Sequence, residues 1–245
     1  MLAARMNYMA QDNPAIQYAA KEVCRKMAKP KIKDFSELKK LARFILGVKV
    51  VKWDFPWQSE IEAMDMKVYA DSDWAGCLDT RRSTSGGVLM LGRHPLRTWS
   101  STQATVATSS AEAELYAMAE GASRGLGFQS TLQEITDDVS LRVLRVWTDS
   151  AAAKAFASTR GLGRMRHVQV KDLWIQSLVK TGRISLGKVR GDLNVADALT
   201  KYHDGARCKA ILALSGLRVV PAESGVARAE GGVLIPRTRN AFFSI

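Results

Sequence analysis

The chain has 245 residues, of which 47% are hydrophobic and 24% charged, enough apolar material for one large domain, or one domain plus a fragment. A formal net charge of +12 and a pI of about 9.8 favour a polyanion partner, most often nucleic acid. The three cysteines, Cys24, Cys77 and Cys208, form no CxxC pair, which argues against a zinc knuckle and for reduced thiols inside a cell. The first residues lack the apolar core of a secretory signal, and no apolar run approaches the roughly 20 residues of a membrane span. The expectation is a soluble cytoplasmic or nuclear protein with no membrane partner.

Residues 1–60 read as a helical, basic appendage. Ala15 to Ala28 has apolar residues at three- and four-residue spacing (Ile16, Ala19, Ala20, Val23, Met27), and Pro30 ends the pattern. A second helix opens at Asp34-Phe35-Ser36-Glu37, with Ser36 as cap, and runs to Gly47. From Lys21 to Lys52 there are eleven Lys/Arg against three acids. Most of the net charge therefore lies on this stretch, and Lys39, Lys40 and Arg43 suit sequence-blind contact with phosphates.

Residues 61–205 read as a domain of strands and helices in the order βββαβαβα. The strands are 66–72, 86–92, 96–100, 142–148 and 184–189, with His94-Pro95 as the turn between the second and third. The helices are 109 to beyond 122 with a break near Gly125–Gly127, 150–158, 166–180, and a last one starting at 194–202. A meander followed by strands reached through helices implies a mixed five-stranded sheet flanked by helices, an α/β fold. Residues 206–245 read as a C-terminal extension, in part disordered, since Pro, Gly and Ser mix with charge from Val219 onward.

Four acids occupy settings that suit a metal ligand. Asp71 ends the alternating run Met66–Asp71. Glu114 lies in the Ala-rich helical stretch Ser109–Met118. Asp149 closes the β-branched run Val143–Thr148, and Asp197 sits in Asn194-Val195-Ala196-Asp197-Ala198-Leu199-Thr200. Carboxylates at strand ends and on adjoining helices can meet at one sheet edge, where hard cations such as Mg²⁺ would relieve their repulsion. That pattern points to metal-dependent phosphodiester chemistry. Three of these acids also have a simpler reading: turn residue for Asp71, helix N-cap for Asp149, salt-bridge partner for Asp197. Helical spacing alone does not choose between Glu112 and Glu114, and Asp73 rivals Asp71.

The local words carry a resemblance. Tyr69-Ala70-Asp71-Ser72-Asp73-Trp74-Ala75-Gly76, Asp79-Thr80-Arg81-Arg82-Ser83-Thr84-Ser85-Gly86, Trp99-Ser100-Ser101-Thr102-Gln103, Ser109-Ser110-Ala111-Glu112-Ala113-Glu114-Leu115-Tyr116, Arg166-His167-Val168-Gln169 and Asp192-Leu193-Asn194-Val195-Ala196-Asp197-Ala198-Leu199-Thr200-Lys201 occur in the order found in the ribonuclease H domain of copia-type retrotransposon Pol polyproteins. Residues of about 13–48 resemble the end of the reverse transcriptase that precedes it there. The resemblance implies a ribonuclease H-like fold and hydrolysis of the RNA strand of an RNA–DNA hybrid by two Mg²⁺ ions, with Mn²⁺ as a substitute. It implies Asp71, Glu114, Asp149 and Asp197 as ligands, Glu114 being chosen over Glu112 by the family word. Arg81, Arg82 and His167 become candidates for contact with the hybrid. Cellular ribonucleases H often carry a His before the last Asp; here Arg190 to Asn194 holds that place without one. No Tyr-x-Asp-Asp motif is present, so polymerisation would need the missing reverse transcriptase portion as a partner. Two other readings stand beside this one: a catalytically inactive nucleic-acid-binding remnant, and a DDE integrase or transposase, which shares the sheet but does not explain Glu114 between Asp71 and Asp149.

Overall fold

A computed structural model describes residues 1–48, 50–135, 141–161 and 173–220. It begins with three helices, α1 (Leu2–Met9), α2 (Pro14–Arg25) and α3 (Ile32–Gly47). The start of α2 follows from its residues: the Asn13 side chain accepts the Ala15 N–H, and Pro14 occupies the first turn. Ile16, Ala20 and Val23 of α2 meet Ala3, Met6 and Ala10 around α1 and Leu41 of α3 in a small core of their own. Two expectations need correction here. Helix α1 was not anticipated, and α3 starts at Ile32 rather than near Ser36. The Asp34 carboxylate accepts the Lys31 N–H at 2.8 Å and closes that end, while the Ser36 hydroxyl donates to the Lys33 carbonyl from within the helix.

After β1 (Val50–Trp53) and the single turn α4 (Glu60–Ala63), the chain builds its main sheet. The elements are β2 (Met66–Asp73), β3 (Thr84–Leu91), β4 (His94–Thr102), α5 (Ser110–Ile135), β5 (Leu144–Thr148), α6 (Ala151–Ser158), α7 (Trp174–Lys180) and β6 (Ile184–Lys188). Spatial order is β4-β3-β2-β5-β6. The β2/β3 and β3/β4 pairs are antiparallel, and the β2/β5 and β5/β6 pairs are parallel. This is the expected mixed five-stranded sheet, with ribonuclease H-like order. Met66, Val68 and Ala70 of β2, Leu89 of β3 and Leu144 and Val146 of β5 are buried beneath Leu115, Met118 and Ala122 of α5 and Ile175 and Leu178 of α7. On the opposite face Val88 and Met90 pack on Val195 and Leu199.

Several boundaries differ from the sequence reading. His94 and Pro95 belong to β4, and the turn is made by Gly92, at φ +61°, with Arg93; β4 is an edge strand, where proline is tolerated. Helix α5 has no break near Gly125. Its glycines serve close packing instead: a Cβ at Gly121 would lie 2.7 Å from Val68 Cγ1, and one at Gly125 2.6 Å from Leu144 Cδ2. The helix expected from 194 is a pair of 3₁₀ turns, Gly191–Leu193 and Val195–Leu199, and the next α-helix, α8 (Gly205–Ala213), starts where Asp204 accepts the Arg207 N–H. Strand β7 (Leu217–Val220) pairs antiparallel with β1 in a two-stranded sheet. So α8 and the start of the supposed extension are folded, and Ile211, Leu212 and Leu217 share a core with Ala198. The first half of the helix expected at 166–180, with His167, and residues 221–245 lie outside the described residues. Among the described residues no helix is long and apolar enough to cross a membrane.

Candidate metal centre

The chain lays β2, β3 and β4 out to one side, then returns to place β5 and β6 on the other. Strand order therefore reverses between β2 and β5, the point in an open sheet where ligands bind beyond the carboxyl ends of the strands. Asp71 lies near that end of β2, and Asp149 directly follows β5. Gly86 pairs with Asp71 across β2/β3, and its lack of a side chain admits the 195–199 turn. A Cβ there would sit 2.7 Å from Thr200 Cγ2 and 2.9 Å from the Ala196 carbonyl. That close approach brings Thr200 and Asn194 onto Asp71. The Thr200 hydroxyl donates to Asp71 Oδ2 at 2.6 Å, and Asn194 Nδ2 donates to the Ala70 carbonyl at 3.0 Å and to Asp71 Oδ1 at 3.4 Å.

Glu114 reaches the same edge from α5. Its Oε1 accepts the Ser72 N–H at 3.0 Å and the Ser72 hydroxyl at 2.9 Å, and its Oε2 accepts the Thr148 hydroxyl at 3.3 Å. Glu112 is occupied elsewhere: Thr108 donates its N–H and hydroxyl to Oε2 at 2.7 and 2.6 Å, and the Tyr116 hydroxyl donates to Oε1. Glu114 thus faces the strand ends, whereas Glu112 turns to Thr108 and Tyr116. Asp149 does not cap the helix that follows it. Ser150 caps α6, its hydroxyl oxygen accepting the Ala153 N–H at 3.2 Å.

One carboxylate oxygen from each of Asp71, Glu114 and Asp149 lies within 4.8 Å of the others. Burial and mutual repulsion act on all three. Burial, then the charge of Glu114, pushes Asp71 well above the usual carboxylate range against the opposing Thr200 hydrogen bond. Burial pushes Glu114 up to about 7, with Ser72 opposing and Asp149 adding to the rise. Asp149 is raised by burial and by Asp197. An all-oxygen, self-repelling set fits a hard divalent cation such as Mg²⁺ or Mn²⁺ and offers no soft ligand for zinc. Asp197 is not drawn into this group. Its carboxylate faces Lys201 Nζ at 2.5 Å, His203 Nε2 at 3.4 Å and Arg207 at 4.0 Å, though its charge is felt at Asp71 and Asp149.

The remaining candidates are more dispersed. Asp73 packs over Gly76. Arg190 forks onto Asp192 at 3.0 and 2.8 Å and lines an open cleft with Asp149 and Lys188. Arg81, at φ +53°, and Arg82 are exposed in the loop between β2 and β3. Lys39, Lys40 and Arg43 are exposed on α3, with Lys39 Nζ 4.9 Å above the Phe35 ring. Thr200 and His203 were not singled out from sequence. Their signal there was slight: polar residues three and six places after Asp197.

No protein-family model matches the chain. It is 34% identical over 118 residues to the uncharacterized mitochondrial protein AtMg00810 of Arabidopsis thaliana, covering 48% of each chain. It is 27% identical over 208 residues to the retrovirus-related Pol polyprotein from transposon RE1 of the same plant, covering 82% of this chain and 13% of that one. Among solved structures it is similar to the N-terminal RNase H domain of Rv2228c from Mycobacterium tuberculosis, at 16% identity and TM-score 0.40, covering 61% of this chain and 96% of that one. The chain therefore spans about half of the first relative and a small part of the second. Three of its relatives are retrovirus-related Pol polyproteins, from transposons RE1, RE2 and TNT 1-94, and its main sheet has the strand order of the ribonuclease H-like fold.

Proposed function

We propose that the chain is a metal-dependent endoribonuclease that hydrolyses the RNA strand of an RNA–DNA hybrid. The observation that carries this reading is the convergence of Asp71, Glu114 and Asp149 at the switch point of the sheet, within 4.8 Å of one another. Asp71 would lie at the centre, held by Thr200 and Asn194; Glu114 is aimed by Ser72 and Thr148. Asp149, half-buried, lines the open cleft with Lys188 and Arg190, and a duplex would reach the acids through that cleft. Bound Mg²⁺, in the reading a pair of ions with Asp197 completing the set, would supply Lewis-acid charge to the attacking water and the leaving oxygen. Water would attack phosphorus and the P–O3′ bond would break, leaving a 3′-hydroxyl and a 5′-phosphate. The protein's own part is orientation and charge: its hydroxyls and amides fix the carboxylate oxygens before the cation arrives. Contacts to the 2′-hydroxyl would separate RNA from DNA.

A second reading, a nucleic-acid-binding remnant without activity, is favoured by one observation: Asp197 is faced by Lys201, Arg207 and the His203 imidazole. One experiment separates the two. The protein is incubated with Mg²⁺ and a labelled hybrid, beside Asp149→Asn and EDTA controls. Cleavage of the RNA strand alone, lost in both controls, is expected. Binding without cleavage by folded protein would reject the nuclease in favour of the remnant.

A further inference from the structure

Asp197 stands outside the acidic triad and is held by a cation of the chain itself. One carboxylate oxygen from each of Asp71, Glu114 and Asp149 lies within 4.8 Å of the others, and Asp197 is not in that set. Its Oδ1 accepts from Lys201 Nζ at 2.5 Å. The other two neighbours hold it less closely. His203 Nε2 lies nearer to the Asp197 backbone carbonyl, at 3.0 Å, than to the carboxylate, at 3.4 Å, and Arg207 stands off at 4.0 Å. An ammonium bonded to Oδ1 occupies that oxygen, so any cation that takes the same oxygen must first displace it.

Lys201 is suited both to hold that place and to leave it. Its root is fixed: Thr200, the residue before it, is fully buried, and the Thr200 hydroxyl donates to Asp71 Oδ2 at 2.6 Å. Its side chain is free to move, being 47% exposed on a flexible four-carbon stem. The ammonium also serves the whole edge. Asp71 and Asp73 act on it, and it acts in turn on Asp149. A positive charge among carboxylates that repel one another relieves the repulsion while no metal is bound. A half-exposed ion pair contributes little to stability, so a divalent cation, which offers Asp197 twice the charge, can take its place.

We propose that the Lys201 ammonium is a built-in placeholder for the second of the two cations: it neutralises Asp197 in the metal-free chain and swings off Oδ1 when that ion binds. The triad then holds one ion tightly, and the second binds more weakly because it must displace Lys201. On this account the close pair at Asp197 belongs to the resting state of a working site and is not a mark of decay. The inference rests on the nuclease reading for its second ion.

The test uses the full chain without nucleic acid. Mg²⁺ binding is followed by calorimetric titration, and Mn²⁺ binding by the spin resonance of the free ion. The parent should bind one ion tightly and a second far more weakly. Lys201→Met keeps the stem and removes the charge. It should tighten the second ion by about 10–100-fold, the range usual for a group that touches a metal ligand, and change the first much less. Adding Asp197→Asn to Lys201→Met should abolish the gain. Lys188→Met removes a cation that lines the cleft with Asp149 but does not pair with Asp197; it should create no tight second site. A second readout needs no substitution. Acetylation of Lys201 by acetic anhydride, mapped by mass spectrometry, should quicken at the weaker binding step, and that of Lys188 should not. Two equally tight ions in the parent, an unchanged second ion in Lys201→Met, an equal gain in Lys188→Met, or Lys201 reactivity that stays flat through both steps would each overturn the placeholder. Hybrid cleavage by a chain that fails these tests would remove the placeholder alone. A chain that passes them and leaves the hybrid intact would remove the nuclease alone.

Discussion

Replacing Glu114 by glutamine should abolish cleavage and yet make the metal-free protein more stable at neutral pH. In the folded chain burial raises this carboxyl from its ordinary 4.5 to about 7. Between those values the folded state keeps a proton that the unfolded state has released, so stability falls as pH rises through this window. The penalty is absent below pH 4.5 and fully present above pH 7. A rise from 4.5 to about 7 corresponds to about 3 kcal/mol. Glutamine resembles the protonated acid: its oxygen still accepts from Ser72, and its amide can donate to the Thr148 hydroxyl that donates to Glu114 Oε2 in the present chain. At pH 8 in EDTA the variant should therefore melt roughly 6–12 °C above the parent, and at pH 4.5 the two should coincide. Mg²⁺ should raise the melting temperature of the parent much more than that of the variant. Thermal and urea denaturation across pH 4.5–8 measure all of this. A variant no more stable at pH 8 than at pH 4.5, relative to the parent, would refute the claim that the cluster stores unfavourable charge.

Two further substitutions probe the supports of the site. Thr200→Val removes the hydroxyl that donates to Asp71 Oδ2; loss of one charge-assisted bond to a ligand should weaken Mg²⁺ binding by about 10–100-fold, read by calorimetric titration. Gly125→Ala puts a methyl 2.6 Å from Leu144 Cδ2 and should cost about 1–3 kcal/mol by overpacking, read by urea denaturation, although alanine is the better helix former at an exposed site.

The legible parts of the chain were those in which local pattern and tertiary role agree. Met66, Val68 and Ala70 alternate because one face of β2 is covered by α5, and the apolar run gives way at Asp71, two residues before the strand ends at Asp73. Asp149 could be placed at a strand end, but its freedom from capping depends on Ser150, which an N-cap rule cannot separate from its neighbour. Glu112 and Glu114 differ only in what surrounds them: Thr108 and Tyr116 for one, Ser72 and Thr148 for the other. The paired glycines at 125 and 127 imitate a helix break, yet Gly125 exists for contact with Leu144. Strands β1 and β7 are four residues each, and Asp54 binds Arg218 from 164 residues away in sequence; so short a pair, with so distant a partner, leaves no local signal. For Asp197 the sequence left metal ligand and salt-bridge partner side by side, and which side chains reach it depends on where Lys201, His203 and Arg207 arrive after the turn.

That distant pairing makes β1 and β7 a buckle. The Asp54 N–H donates to the Gly216 carbonyl at 2.9 Å, and Arg218 grips the Asp54 carboxylate with both guanidinium arms. Everything between them, the whole main sheet with its acids, is enclosed in one loop fastened at its neck. A fragment cut at 61–205 would open the buckle, lose both halves of the small sheet, and uncover the face of Ala198 that Ile211, Leu212 and Leu217 now protect. Ala198 is the residue next to Asp197, so trimming the ends would loosen the wall of the acidic edge. The useful minimal piece of this protein is set by its fastening, and reaches from β1 to β7.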